Sequence, residues 1–201
     1  MVVPTPALSP IETPRLRLRC AEPQDAPALS ALMSEAVSRR LASWPVPYTP
    51  PMALDRIAGV RMAAAERRSL PLVIERRADG AVTGWISVSR APGEGSTALL
   101  TYWLGEAFQG QGLMREAAPA ALSEAFRLMD VARVRAAVQP DNAPSLAVVR
   151  LLGMAPLGEG RIWCPARGRD EACLWFETLR GEAAAARPEA ASDLPGAAAM
   201  T

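Results

Sequence analysis

The most constraining feature of the sequence is the segment Gln109-Gly110-Gln111-Gly112-Leu113-Met114, which follows a strand-like run, Ala98 to Leu104, and opens a helix-like one. A helix N-terminus carries about half a positive charge and several N–H groups without helical partners. Glycines just before it let the main chain close around phosphate oxygens without side-chain obstruction. The segment therefore reads as a diphosphate site, with a ligand-free helix-capping turn as the plain structural alternative. It is not the dinucleotide fingerprint, because the third glycine is missing and no acidic residue follows at the distance a ribose contact needs.

Strand and helix signals alternate on both sides of this loop. Arg15 to Cys20 alternates strictly, the pattern of a half-buried strand. A helix is expected from about Pro23 to Arg40, with Leu29, Leu32, Met33 and Val37 on one face. Trp44-Pro45-Val46-Pro47-Tyr48 forms a rigid turn in which two prolines forbid helix. A second helix is expected from Pro51 to Arg68, then strands at Leu72–Glu75, Val82–Ser89 and Ala98–Leu104. After the loop come a helix Gly112–Met129, a strand Arg133–Val138, a helix Ala143–Leu152 and strands Leu157–Cys164 and Ala172–Leu179. Pro119 falls inside the first of these helices and predicts a kink or a late start. The order β-α-α-β-β-β-α-β-α-β-β points to an α+β fold. Residues 1–11 read as an extended leader, 12–180 as one domain and 181–201 as a flexible Ala/Pro-rich tail.

Composition removes much mechanistic ground. Among 201 residues there is no His, every basic residue is Arg, and the net charge is +1. A Schiff-base Lys, a Walker-type phosphate loop, a Ser-His-Asp triad and a His-rich metal site are all excluded. The charge gives no reason to expect nucleic acid or an anionic membrane as a partner. Cys20, Cys164 and Cys173 are too scattered for a zinc cluster; they read as free buried thiols, with a Cys164–Cys173 pair across a hairpin as the alternative. No signal peptide and no apolar run of about 18 residues is visible, so a cytoplasmic location is the expectation.

A second segment sharpens the reading of the loop. Gln139-Pro140-Asp141-Asn142-Ala143-Pro144-Ser145 leaves the next strand and enters the next helix, which ends near Leu151-Leu152-Gly153-Met154. Strand, Gln-x-x-Gly-x-(Gly/Ala/Met), helix, strand, Asn-x-x-Ser, helix, Leu-Gly-(Phe/Met) resembles the GNAT superfamily, and within it the Rim-type group that acetylates protein N-termini. Glu12 to Arg19 resembles that group's opening strand, and Trp44–Tyr48 and Tyr102-Trp103-Leu104 are similar to its style. The likeness covers residues of about 12 to 179.

The resemblance implies a mixed, largely antiparallel central sheet with helices on both faces, and acetyl-CoA as cosubstrate with no metal. It implies that the main chain of Gln109, Gly110, Gln111, Gly112, Leu113 and Met114 holds the pyrophosphate. The strand edge at Trp103 and Leu104 would pair with the pantetheine arm. Asn142 would hold a pantetheine amide and Ser145 would sit near the sulfur; the structural alternative for both is a helix cap. Leu104 N–H is the expected oxyanion donor and Ser145 the expected proton donor to the thiolate, since no Tyr follows Tyr102. Glu94, Glu106, Asp170 and Glu171 read as surface charges rather than a general base. Trp44 is the expected wall of the acceptor pocket. The acceptor is a primary amine, on a protein N-terminus or a small molecule such as an amino acid, polyamine or antibiotic. A non-catalytic CoA-binding module is the reading from another class. Oligomeric state stays open, a homodimer included.

Overall fold

The computed structural model describes residues 8–182; residues 1–7 and nearly all of the expected tail, from 183, lie outside them. One sheet of eight strands organises the chain, in the order β1-β2-β3-β4-β5-β6-β8-β7. The strands are β1 Ile11–Glu12, β2 Leu16–Cys20, β3 Ser69–Arg76, β4 Val82–Arg90, β5 Thr97–Leu104, β6 Arg133–Val138, β7 Ala155–Cys164 and β8 Arg169–Leu179. The helices are α1 Ala26–Leu32, α2 Glu35–Ser38, α3 Pro50–Ala65, α4 Leu113–Leu128 and α5 Ala143–Leu151. The fold is thus the expected α+β, with β1 added.

The two-residue period of the strands divides the core. Leu72, Ile74, Ile86 and Leu100 face α4 and α5, joined by Ala117, Ala121, Ala125 and Val149. Small alanines on the inner face of α4 let the helix lie close to the sheet. Val73, Trp85 and Trp103 point to the opposite side and meet α1, α2 and α3 through Leu29, Val37, Ala53 and Ile57. β3 is buried on both faces from Ser69 to Ile74, which explains its unbroken apolar run.

Two expectations need correction. The single helix over 23–40 is broken after Leu32: Ser34 sits extended at φ −96°, ψ 171° and caps α2 by accepting from the Val37 N–H. Serine offers the main chain that alternative to continuing a helix. Pro119 does not delay α4, which starts at Leu113 and runs through the proline. The cysteines meet the expectation: all three are buried and free, and the alternative pair is excluded because β7 and β8 set Cys164 opposite Arg169 and Cys173 opposite Gly160. Among the described residues, no helix is long and apolar enough to cross a membrane.

Every neighbouring strand pair is antiparallel except β5–β6. That parallel pair holds for only Thr97↔Arg133, Ala98↔Val134 and Leu99↔Arg135. Beyond Leu99 the strands part, while β4 stays paired to β5 as far as Gly84↔Leu104. Gly84 makes that approach possible, since a Cβ there would lie 2.2 Å from the Trp103 carbonyl oxygen and 2.9 Å from Leu104 Cα. Gly84→Ala should therefore destabilise the protein by about 1–3 kcal/mol, the usual scale for overpacking against backbone. Urea denaturation checks this; an unchanged midpoint would show that β5 yields without cost.

Candidate functional site

The parting of β5 and β6 creates a wedge-shaped cleft whose β5 wall carries open peptide groups. The Gly105 N–H donates to the Thr83 carbonyl at 3.0 Å. Alternation along an antiparallel pair then aims the peptide groups of Thr101 and Trp103 at β4 and those of Tyr102 and Leu104 into the cleft. The expectation of a main-chain contact at Trp103 is therefore corrected: its peptide is engaged by β4 and its indole is in the core, 5 % exposed. Leu104 does face the cleft, and Gln109 Nε2 donates to its carbonyl at 2.9 Å, which leaves its N–H as the open group.

The glycine loop closes one end of this wall. A short 3-10 turn, Glu106–Phe108, leads into Gln109. Gly110 and Gly112 then take φ +72° and +73°, a left-handed conformation that L side chains resist. Gly112 occupies the N-cap of α4, and no side chain caps the helix. The first-turn N–H groups, beginning with those of Leu113 and Met114, are therefore without a side-chain acceptor. Gln111 spans the loop by donating to the Ala107 carbonyl at 2.8 Å.

A brace from the start of the chain holds the loop. Arg15 donates to the Gln111 carbonyl at 3.0 Å and forms an ion pair with Glu116 at 2.7 Å. Thr13 Oγ1 and the Arg15 N–H also donate to Glu116, at 2.6 and 2.8 Å. Burial raises the Glu116 pKa, but the bonds from Thr13 and Arg15 outweigh it and hold the carboxyl below its ordinary value. Glu116, in the first turn of α4, thus spends its charge on Arg15 rather than on the open N-terminus.

Across the cleft, β6 ends at Val138 and delivers Asn142 to the N-cap of α5, where its Oδ1 accepts from the Ser145 N–H at 3.3 Å. Asn142 therefore does cap, and the cap occupies its oxygen while leaving its NH2 donors unused. Ser145 meets a partner that the sequence did not announce. The Tyr102 hydroxyl, carried on β5, lies 2.7 Å from Ser145 Oγ and 3.2 Å from the Ser145 carbonyl. Burial pushes the Tyr102 phenol up to about 12, with the Ser145 hydrogen bond opposing the shift. The phenol is thus protonated throughout the neutral range.

The short helix α2 spans the open end between the two walls. Ser34 at its start donates to Glu106, just past β5. Arg40 after its end donates to Gln139 at 3.0 Å and pairs with Asp141 at 2.6 Å, just past β6. Gln139 in turn donates to the Arg39 carbonyl at 2.9 Å and to Glu171 at 3.2 Å. Arg167, in the β7–β8 turn, joins Glu171 at 2.6 Å and the Ser38 carbonyl at 3.2 Å. Glu94 pairs with Arg135 at 2.9 Å. Three of the carboxylates weighed as surface charges, Glu94, Glu106 and Glu171, are thus committed to structural partners, while Asp170 is exposed.

Trp44 also departs from expectation. It is 1 % exposed and packs against Tyr48, Trp85 and Trp103 with ring centroids 5.1, 5.4 and 5.0 Å away. The prolines beside it drive the indole inward, so Trp44 is a core residue and the wall of no pocket; its neighbours Ser43 and Pro45 line one instead.

Comparison with known proteins agrees with this geometry. The family described as acetyltransferase (GNAT) domain matches residues 15–155. A Bacillus subtilis (strain 168) protein named as a ribosomal N-acetyltransferase, YdaF, is 25 % identical over 170 residues, covering 83 % of this chain and 92 % of its own. Mycobacterium smegmatis RimJ, solved in complex with CoA-disulfide, is 26 % identical with a TM-score of 0.69, covering 85 % of this chain and 87 % of that one. In fold alone, the ribosomal-protein-S5-alanine acetyltransferase from Vibrio fischeri is similar, with a TM-score of 0.70 at 21 % identity over 86 % of this chain and 97 % of that one.

The strap built by α2 makes a prediction about pH. Glu171, hydrogen-bonded first by Arg167 and then by Arg169, has its carboxyl pKa lowered to about 2. The folded value lies below the unfolded one, near 4.3, so folding favours the ionised form. Its contribution is complete above about pH 4.5 and is lost as the pH falls towards 2. Glu171→Gln should therefore have a lower urea midpoint than wild type at pH 6, with the gap narrowing below about pH 4 and closing as the pH falls through about 2. A gap that does not vary with pH would show that the ion pair adds nothing.

Proposed function

The chain belongs to the GNAT acetyltransferase family, and from that premise we propose that it acetylates the amino terminus of a protein, by direct attack of that amine on acetyl-CoA held in the β5–β6 cleft. It is an acetyl-CoA-dependent N-acetyltransferase; the acceptor and the residue roles are the proposal. One observation carries it. The left-handed glycine loop at the uncapped N-terminus of α4 stands at the end of a strand whose next peptide groups are unpaired.

A diphosphate fits the loop because left-handed Gly110 and Gly112 and the first-turn N–H groups of α4 present donors and positive dipole to it. The pantetheine arm fits the wedge because Tyr102 and Leu104 offer peptide groups that β6 does not reach, the way an added strand is recognised. Asn142 NH2, unused by its cap, is placed to donate to a pantetheine carbonyl from the opposite wall. The thioester then lies near Leu104, whose N–H stabilises the oxyanion as the amine attacks.

The tetrahedral intermediate collapses by breaking the C–S bond, and the thiolate takes a proton. Ser145 supplies it. In this step the Tyr102 hydroxyl, 2.7 Å from Ser145 Oγ, passes its proton to that oxygen as the serine proton leaves, and the phenol regains one from the water that takes a proton from the attacking amine. An α-amine has a pKa of about 7.7–8.0, so a useful fraction is neutral without a dedicated base, and water carries its proton away. The Bacillus subtilis relative is named as a ribosomal N-acetyltransferase, which favours a protein N-terminus over a small amine.

Thiol release from acetyl-CoA, measured with N-terminal peptides, polyamines and free amino acids, tests the reading. Peptides should be the best acceptors, and coenzyme binding without thiol release from any amine would instead support a binding module. Gly112→Ala should weaken acetyl-CoA by about tenfold or more, because the substitution strains φ +73°. Ser145→Ala should lower kcat about 100-fold and Tyr102→Phe about tenfold, both with little change in KM for acetyl-CoA. A Tyr102→Phe enzyme with full kcat would remove the phenol from the proton path. The pH profile of kcat/KM for the peptide should rise through the acceptor's own amine pKa and level above about 8; a midpoint near 6 would demand a dedicated base.

A further inference from the structure

The two edges of the sheet differ in a way that calls for a partner at one of them. At one edge β1 is only two residues long. At the other, β7 runs for ten residues and among the described residues pairs only with β8, on its inner side. Unpaired edges offer a row of free N–H and C=O groups, and proteins blunt them by brevity, proline or lysine. Brevity protects β1. In β7 the bulge at Pro156/Gly158 marks where the regular edge begins, and no proline or lysine occurs from Leu157 to Cys164. From Ala155 to Trp163 every residue except Gly160 and Ile162 is exposed. Leu157 and Trp163 are 51 % and 57 % exposed, the highest values for large apolar side chains among the described residues.

The charge pattern of this edge identifies what covers it. Glu159 and Arg161 point to the same face of the sheet as Trp163. Neither forms an ion pair among the described residues, and Arg161 donates only to the Asp170 carbonyl, at 2.8 Å. Suppose β7 pairs antiparallel with its own copy about a two-fold axis perpendicular to the sheet. Residues set opposite each other must then point to the same face, so the axis passes through a residue. An axis through Glu159 or Arg161 would oppose like charges, which destabilises a sheet. Only an axis through Gly160 makes opposite charges meet. It sets Glu159 against Arg161 of the second copy, twice, and Leu157 against Trp163, twice.

The other face of the edge suits the same axis. A Cβ at Gly160 would lie 2.6 Å from Trp175 Cδ1, so the indole carried by β8 lies across β7 at that point. Trp175 pairs with Gly158 and therefore occupies the face opposite Trp163. It is half-buried, and its two copies would flank the axis. Tryptophan, the residue type enriched at the centres of interfaces, thus stands on both faces of the seam.

We propose that the protein forms a two-fold homodimer in which the β7 edges pair antiparallel about Gly160, joining the two sheets into one. The seam uses no residue of the coenzyme cleft, so it holds or fails independently of the transfer reading.

Sedimentation velocity of the full chain, over a series of micromolar concentrations, tests the seam. The wild type should sediment with twice the 21.4 kDa mass of one chain. Glu159→Arg and Arg161→Glu change exposed side chains, and each should weaken the dimer about tenfold or more, because like charges then meet at both contacts. An equimolar mixture of the two variants should regain the wild-type affinity, since every Arg then faces a Glu across the seam. The double variant Glu159→Arg/Arg161→Glu should regain it as well. Recovery on mixing also shows that each single variant is folded. A monomeric wild type would overturn the proposal, as would a dimer that neither single variant weakens. A loss that neither mixing nor the double variant restores would overturn the pairing about Gly160.

Discussion

The structure depends on how little of β5 and β6 is paired. Three residue pairs at Thr97–Leu99 and Arg133–Arg135 join two otherwise antiparallel halves of the sheet, and past them the strands separate. Peptide groups in a sheet interior are normally satisfied by the next strand. Here those of Tyr102 and the N–H of Leu104 are withheld from it and face the cleft instead. Everything else at the site follows from holding the two strands apart while keeping each rigid. β4 grips β5 as far as Leu104 because Gly84 has no side chain. β8 grips β6 over its full length, from Arg133↔Leu179 to Val138↔Leu174.

The elements around the cleft divide the work between its two faces. On the α4–α5 side sit the glycine loop, the Asn142 cap and the Tyr102–Ser145 pair, the groups suited to a diphosphate, an amide-rich arm and a leaving thiolate. On the other side, the α2 strap fixes the ends of both strands to the β7–β8 turn through Ser34, Arg40 and Arg167.

The parts of this arrangement that could be read in the sequence are those made by neighbours in the chain. The loop Gln109–Met114 and the Asn142–Ser145 cap are local: their glycine conformations and side-chain spacing are set within a few residues. The succession of strands along the chain and the helices α3, α4 and α5 were visible for the same reason. What stayed hidden is non-local. Tyr102 reaches Ser145 over 43 positions, so an argument from which tyrosines follow the loop overlooked the one preceding it. Trp44 reads as a pocket wall because prolines hold its segment out of regular structure, yet Tyr48 beside it and Trp85 and Trp103 from distant strands bury it. The break at Ser34 required knowing that Glu106 would receive its hydroxyl. Alternation, applied to β5 with its partner known, moves the open peptide groups from Trp103 to Tyr102; without the partner strand, the sequence fixes the period and not its phase.

Amide hydrogen–deuterium exchange, with and without acetyl-CoA, tests the open edge of β5 most directly. The Tyr102 and Leu104 amides should exchange far faster than those of Leu99 and Thr101 in the free protein, and acetyl-CoA should slow them by at least tenfold while leaving Thr101 unchanged. Strong protection of Tyr102 and Leu104 in the free protein, or no change on adding coenzyme, would contradict the account.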